Sequence, residues 1–301
     1  SGDPDAVDMY NVAVGYQAGN VLTTGVNNTL IGGQAGDALT DADSNVAIGR
    51  GALSTDRKGN KSIAIGQDAL NAQNNANPTD TFNVAVGHSA GVSINTGKRN
   101  TLIGGLAGDA LTTSLDNVAV GSHALSTETT GKFNTAIGQG SLFTQNAGSD
   151  VEVYNTAVGY NSGNLVTTGI RNTLIGGQAG DALTTGADNV AVGALALSAD
   201  RFGAKSVAIG RGALKVQNYG SGTDSNNTAV GYSAGEAIST GTSNTFVGAL
   251  AGDGTDDGLR NVAVGSGALS ANCTNDNVAV GEGALAICTT GNNTAIGRSA
   301  G

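Results

Sequence analysis

Few side chains in this sequence are of the types that do chemistry, and their spacing argues against their doing it. Glycoside hydrolysis needs two carboxyl groups held about 5–10 Å apart in a cleft. The 24 acidic residues lie mainly among turn-forming neighbours, as at Asp37, Asp56, Asp68 and Glu152, and none recurs as a facing pair. The two histidines, His88 and His123, supply no nucleophile–base set. Cys273 and Cys288 together with these histidines fall short of a zinc site. The glycine-rich stretch Gly32-Gly-Gln-Ala-Gly-Asp37 lacks the Lys-Ser/Thr and the following helix of a phosphate loop. The expectation is a chain with no catalytic residue, no metal and no cofactor.

Composition points to a different kind of molecule. The chain has 301 residues, 49 of them Gly and 2 Pro, with 13% charged and 39% hydrophobic residues. Gly does not recur every third residue, so collagen is excluded. Low charge with this hydrophobic content is far from the signature of disorder. No apolar run approaches the roughly 18 residues of a membrane span, so no membrane insertion is expected.

One phrase organises everything: Asn/Ser, then Val/Thr/Ile, Ala/Leu/Phe, Val/Ile and Gly. It occurs 17 times, first at Asn11, Asn28, Asn45 and Ser62 and last at Asn293. Most copies stand 17 residues apart, the last ones 16, and every fourth interval among the earlier copies is 21. The first copies of successive groups, Asn11, Asn83, Asn155 and Asn227, stand 72 residues apart. The phrase is short, β-branched and closed by Gly, which reads as a strand ending in a tight corner. An Ala (Ser at 141 and 162) follows seven residues after each start. The next residue is Gly in the first two coils of a group and Leu in the other two. Where Gly stands there, an apolar residue usually follows three places later, as at Leu22, Leu39, Ile94 and Leu111. We read these as a second short strand in two registers. The fold expected is all-β: a parallel β-solenoid, or β-roll, of about 17 coils with a 16–17-residue period and a 72-residue superperiod. Residues 1–10 form a lead-in and 11–301 one continuous domain. At the strand spacing of 4.8 Å it would extend about 80 Å. The chain stops nine residues into its last coil, which reads as a segment of a longer protein.

Within each phrase the second and fourth residues face one way and the third the other. The fourth is always Val or Ile, which assigns that face to the core of the roll. The third is mostly Ala, as at Ala13, Ala85, Ala157 and Ala229, and is large at Leu30, Leu102, Leu174 and Phe246. These eight residues are expected to line an interface between chains, since a continuous apolar ladder is poorly left in water.

The phrases Asn-Val-Ala-Val-Gly and Ser-Ile-Ala-Ile-Gly resemble the head repeats of trimeric autotransporter adhesins. The longer stretch Asn277-Val-Ala-Val-Gly-Glu-Gly-Ala-Leu-Ala-Ile-Cys-Thr-Thr-Gly-Asn-Asn293-Thr-Ala-Ile-Gly297 is similar to repeats of bacteriophage tail-fibre proteins. The resemblance covers Asn11 to Gly301. It implies a left-handed roll, three chains about one axis, and a role in attachment outside the cell, on a virion tail fibre or a bacterial surface. Handedness and the number three come from the resemblance alone. The sequence shows no coiled-coil stalk, membrane anchor, fibre-maturation domain or signal peptide.

Candidate contacts with a receptor or glycan follow from the repeat. The fourth coil of each group carries four extra residues, giving loops Gln73–Thr81, Gln145–Val153 and Gln217–Ser225. Each opens on Gln-Asn (Gln73 and Asn74, Gln145 and Asn146, Gln217 and Asn218) and then diverges, a pattern suited to recognition on a rigid scaffold. Tyr16, His88, Tyr160 and Tyr232 share one position after the strand-closing Gly. They could stack on sugar rings or pack at the corner. The Gly32–Asp37 stretch also resembles a calcium-binding nonapeptide, but its Asp recurs only every 72 residues, whereas ligands to one ion must lie about a coil apart. Cys273 and Cys288 occupy adjacent coils, within reach of a disulfide if their side chains turn together. The net charge of −10 repels nucleic acid. The function expected is a non-enzymatic attachment rod of a homotrimeric fibre. An adhesin head is the near alternative. Ice- or mineral-surface binding by Thr29, Thr101, Thr173 and Thr245 is an alternative of another class.

Overall fold

A computed structural model describes residues 8–148 and 151–301. Residues 1–7 of the expected lead-in, and 149 and 150 of one loop, lie outside the described residues. The described chain is an all-β parallel solenoid of about 17 coils, without helix. Contacts group it into two compact units, one of Ser1–Asn134 with Gly148–Glu152, the other of Thr135–Ala147 with Val153–Gly301.

Each phrase forms one three-residue strand. In the first unit these run from Val12–Val14 to Val118–Val120, in the second from Thr135–Ile137 to Thr294–Ile296. Neighbouring coils pair in parallel and in register, so Ala13 lies beside Leu30 and Leu30 beside Ala47. The glycine closing each strand has φ near +133°, a region closed to side-chain-bearing residues. A Cβ at Gly104 would sit 2.6 Å from the carbonyl of Gly121, the same position one coil on. The column therefore admits only glycine.

The second strand expected in each coil does not form. That side of the coil is a chain of turns stitched coil to coil, as in Gly19 N–H to the Ala35 carbonyl (3.0 Å) and Leu53 N–H to that of Ala69 (3.0 Å). The turns place non-glycine residues in the left-handed region: Leu53 and Leu70 at φ 52° and 48°, Gln34 at 59°, Lys61 at 60°. Such a conformation costs about 1–2 kcal/mol per residue, which the coil-to-coil hydrogen bonds must offset.

The core holds the third strand residues, the turn alanines and one or two large residues per coil, as with Leu102 and Leu111 together. Leu30, Leu102, Leu174 and Phe246 are wholly buried within the single chain, as are Ala85, Ala157 and Ala229. The face assignment made from sequence is thus reversed. The third residues point inward, and the second and fourth, Val, Thr and Ile, point out. The two registers of the turn side explain the superperiod. Where the strand supplies Leu30, the turns supply Gly19 and Gly36, and a Cβ there would meet Leu30 at 2.9 and 2.8 Å. The third and fourth coils of a group, whose strands supply only Ala, place Leu at that turn position instead, as at Leu53, Leu70 and Leu125, all buried; the first coils combine Ala and Gly with an apolar residue three places on, as at Ile94, Val166 and Ile238.

A column of buried asparagines closes one corner. The Asn100 side-chain oxygen accepts from the backbone N–H (3.1 Å) and Nδ2 (3.2 Å) of Asn117, while its own Nδ2 donates to the Ser114 carbonyl (2.9 Å). Asn155, Asn172 and Asn189 repeat the pattern.

The exchange of volume across the core has a direct test. Phe246→Ala should cost about 3–5 kcal/mol in urea unfolding. Adding Gly252→Leu, which restores the Ala-plus-Leu arrangement of the later coils, should recover part of that loss. A double variant no more stable than Phe246→Ala would show that the two positions do not share one space.

Candidate functional site

The surfaces open to a partner are the outer face of the sheet and the turn side. On the sheet, Ile31, Ile103 and Ile175 are 37%, 40% and 39% exposed. They belong to an uninterrupted fourth-position column of Val and Ile, with Val, Thr or Ile at the second position beside it. No charged residue stands on these strands. Of the eight residues expected at a chain–chain interface, seven are sealed inside the chain, where no partner reaches them. Ala13, in the first described strand, is exposed. The physical reason is size: the small, volume-compensating side chains fit the narrow interior, and the β-branched ones stand on the sheet exterior.

In some coils the residue two places before the strand is charged and pairs with its neighbour one coil on. Arg99 donates to both carboxylate oxygens of Asp116, at 2.6 and 2.7 Å, and Arg171 and Arg260 do the same to Asp188 and Asp276. Hydrogen bonding to the guanidinium holds each of these carboxyls below its ordinary range. The pairs are exposed and add little stability individually.

The loop residues split in two. Gln73, Gln145 and Gln217 are fully buried, so the expectation that they meet a receptor is overturned. Gln73 and Gln217 stand in for an asparagine. At Ser62 and Ser206 the column lacks its amide, and the glutamine from the longer loop reaches in. Gln217 donates to Ser206 Oγ (2.8 Å) and to Asp200 Oδ2 (2.7 Å) and accepts from Asn227 Nδ2 (2.8 Å). Gln73 does likewise with Ser62, Asp56 and Asn83. The need for a longer side chain in a coil carrying Ser was a signal present in the sequence and missed. Tyr219, at 5% exposure, also turns inward, its hydroxyl donating to the Gly241 carbonyl at 2.7 Å. Each loop end is zipped to the coil before it, Thr79–Asp80 on Gly59–Asn60 and Thr223–Asp224 on Gly203–Ala204. Asn74 and Asn218 are exposed and Asn146 is half-buried.

Tyr16, His88, Tyr160 and Tyr232 all reach solvent, the tyrosines at 75%, 58% and 51%. Arg211 lies over the Tyr232 ring, 5.9 Å from its centre. Corner packing therefore does not bury these rings. Cys273 and Cys288 are thiols. Cys273 Sγ donates to the Cys288 carbonyl (3.0 Å), Cys288 Sγ to that of Thr290 (3.1 Å). Burial raises the Cys273 thiol pKa well above its usual range. Among the described residues no group of three or more His, Cys, Asp or Glu is placed to hold a metal, and no helix is long and apolar enough to cross a membrane. No protein-family model and no curated protein matches the chain.

Buried carboxyls form a further set. Asp200 accepts from the N–H groups of Phe202 and Gly203 as well as from Gln217, and burial holds its pKa above the ordinary value. Asp37, Asp181 and Asp253 each keep one buried oxygen without a hydrogen-bond donor, and burial raises all three.

Two outcomes follow. Gln217→Ala should cost about 2–4 kcal/mol, because it strips donors from a buried carboxylate and an acceptor from Asn227. Asn218→Ala should change unfolding by less than about 0.5 kcal/mol; equal effects would refute the division of the loop. For Asp253 the folded pKa is raised, so its charge costs stability above that pKa and the cost vanishes as pH falls below the unfolded value. Asp253→Asn should therefore raise the melting temperature at pH 7, and the gain should shrink through the acid range. A gain independent of pH would show that charge burial is not its origin.

Proposed function

We propose that this chain is a non-enzymatic structural and attachment segment of a homo-oligomeric fibre, standing outside the cell on a virion tail or a bacterial surface. The observation that carries the reading is the outward column of half-exposed Val and Ile, present in coil after coil. Covering it with like chains contributes on the order of 1 kcal/mol per coil, small singly and large when summed along a unit. Because identical coils stack in register, a rotational partner meets the same column on the same repeat, so a homo-oligomer suits the face better than a foreign globular partner. The resemblance to phage tail fibres and autotransporter heads supplies the number three and the role in attachment. The phage fibre is preferred and the adhesin head is the alternative. Exposed loop tips and aromatic corners, repeated along each unit and multiplied by each chain, would turn weak receptor contacts into avidity.

Binding of ice or a mineral surface is a second reading. It is favoured by Thr29, Thr101, Thr173 and Thr245 standing on the outer face, and disfavoured by the Val and Ile residues that interrupt their column. A thermal-hysteresis measurement separates it from the first.

Light scattering on the purified chain at micromolar concentration should give a stable homo-oligomer of three chains. Ile103→Asp with Ile175→Asp should reduce it to smaller species while the circular dichroism of the sheet is retained. A wild-type chain that is folded and monomeric under these conditions would overturn the proposal.

A further inference from the structure

Within the first unit, the turn side carries an open groove of about 690 Å3. Its lining includes Asn20 and Val21 from the first coil, Asp37 and Ala38 from the second, Arg57 from the third and Asn74 from the fourth. Two further lining residues, Thr40 and Ser54, are knitted into coil-to-coil bonds: Thr40 Oγ1 to the Arg57 carbonyl at 3.0 Å, Asn71 Nδ2 to Ser54 Oγ at 2.8 Å. The amides and the guanidinium are not. Among the described residues Asn20, Arg57 and Asn74 have no side-chain hydrogen bond or ion pair, and the buried Asp37 Oδ1 has no donor.

The same set returns 144 residues later, in the second unit, as Asn164, Leu165, Asp181, Ala182, Arg201 and Asn218. Part of the setting returns as well: Thr184 Oγ1 donates to the Arg201 carbonyl at 2.8 Å and Asp181 Oδ1 again has no donor, whereas Asn164 Nδ2 here donates to the Gly140 carbonyl (2.9 Å) and Arg201 lies over the Phe202 ring. The superperiod between them departs from it, with Val92, Ser93 and Thr129 at the positions of Asn20, Val21 and Arg57. Coil-to-coil bonding accounts for the amide, since Asn71 and Asn164 at this position both donate to a carbonyl of the coil before, but not for the guanidinium, since neither Arg57 nor Arg201 makes an ion pair among the described residues.

Resting on the attachment role proposed above, we infer that this groove is a binding site for a neutral, polyhydroxylated saccharide. The carboxylate and the amide oxygens accept hydroxyl protons, the guanidinium and amide nitrogens donate to hydroxyl and ring oxygens, and the methyls of Val21 and Ala38 meet the C–H face of a pyranose. A few convergent polar groups on a partly apolar floor are the usual makings of a small-ligand site, and the volume falls in the usual range. Asp37 and the unpaired Arg57 leave the lining without net formal charge, so it holds no excess of cations to draw in acidic sugars or phosphates. The site is shallow, so single-site affinity is weak and retention depends on repetition.

The test is an array of neutral gluco-, manno-, galacto- and N-acetylhexosamine oligosaccharides beside uronic-acid-bearing ones, probed with the full chain, with calorimetry on any hit. A neutral oligosaccharide should be retained. Asp37→Ala, Arg57→Ala, Asp181→Ala and Arg201→Ala combined should weaken it roughly tenfold or more. Asn74→Ala with Asn218→Ala, both exposed, should weaken it without affecting folding, which keeps the test valid if the first variant is unstable. Retention of no neutral sugar, or binding unchanged in the second variant, would overturn the inference. Light scattering on the same samples separates the two readings: an oligomer that binds no sugar refutes this site alone, and a folded monomer refutes the fibre.

Discussion

Outside the inserted loops, each described coil lays its residues beside their equivalents one coil on, and nearly everything else depends on that constraint. A column of identical residues must be compatible with itself at about 4.8 Å. Glycine meets it where the next carbonyl comes within 2.6 Å, as between Gly104 and Gly121. Asparagine meets it because one amide both donates and accepts, so Asn100 donates to the Asn83 side-chain oxygen and accepts in turn from the Asn117 N–H. Ions meet it only by alternating sign, which is how Arg99 comes to stand against Asp116 and Arg171 against Asp188. The low charge of the chain follows: a like-charged column would repel itself along its whole length.

The same constraint sorts the surfaces by what they can do. The strand face is monotonous, and monotony suits a partner with the same period. The turn side is where the superperiod shows, because there the core demands Gly in two coils and Leu in the next two, and insertions arrive every fourth coil. Variation in the surface residues is concentrated on this side, and chemistry with anything other than a like chain belongs there.

The fold was legible in the sequence because the strand phrase recurs with a fixed interval and ends in a glycine that only a corner requires. What was misread was which side of the strand faces in. Alternation reports two faces and not their identities, and Val14 or Ile31 is as apolar as any core residue. The deciding signal was compensation. Leu30 appears where its own coil has Gly36, and Ala47 where its coil has Leu53; residues that trade volume must touch. The second strand was misread because Leu53 and Leu70 look like strand residues, and their left-handed backbone is imposed by stacking rather than by propensity. Gln73 and Gln217 looked like loop openings for the same reason: their work, replacing the amide absent at Ser62 and Ser206, is visible only when adjacent coils are laid side by side.

Those left-handed leucines bear on how such a chain comes to be folded. A coil whose turns hold Leu70 at φ 48° and Lys61 at 60° is uphill on its own, and becomes favourable only against a neighbour already in place. Nucleation is then rare and extension easy, as in other one-dimensional repeats. Folding advances as a front, each finished coil serving as template for the next, and the coil at the tip is always the least secure. A chain of this kind is better described by where its front starts than by any single unfolding event.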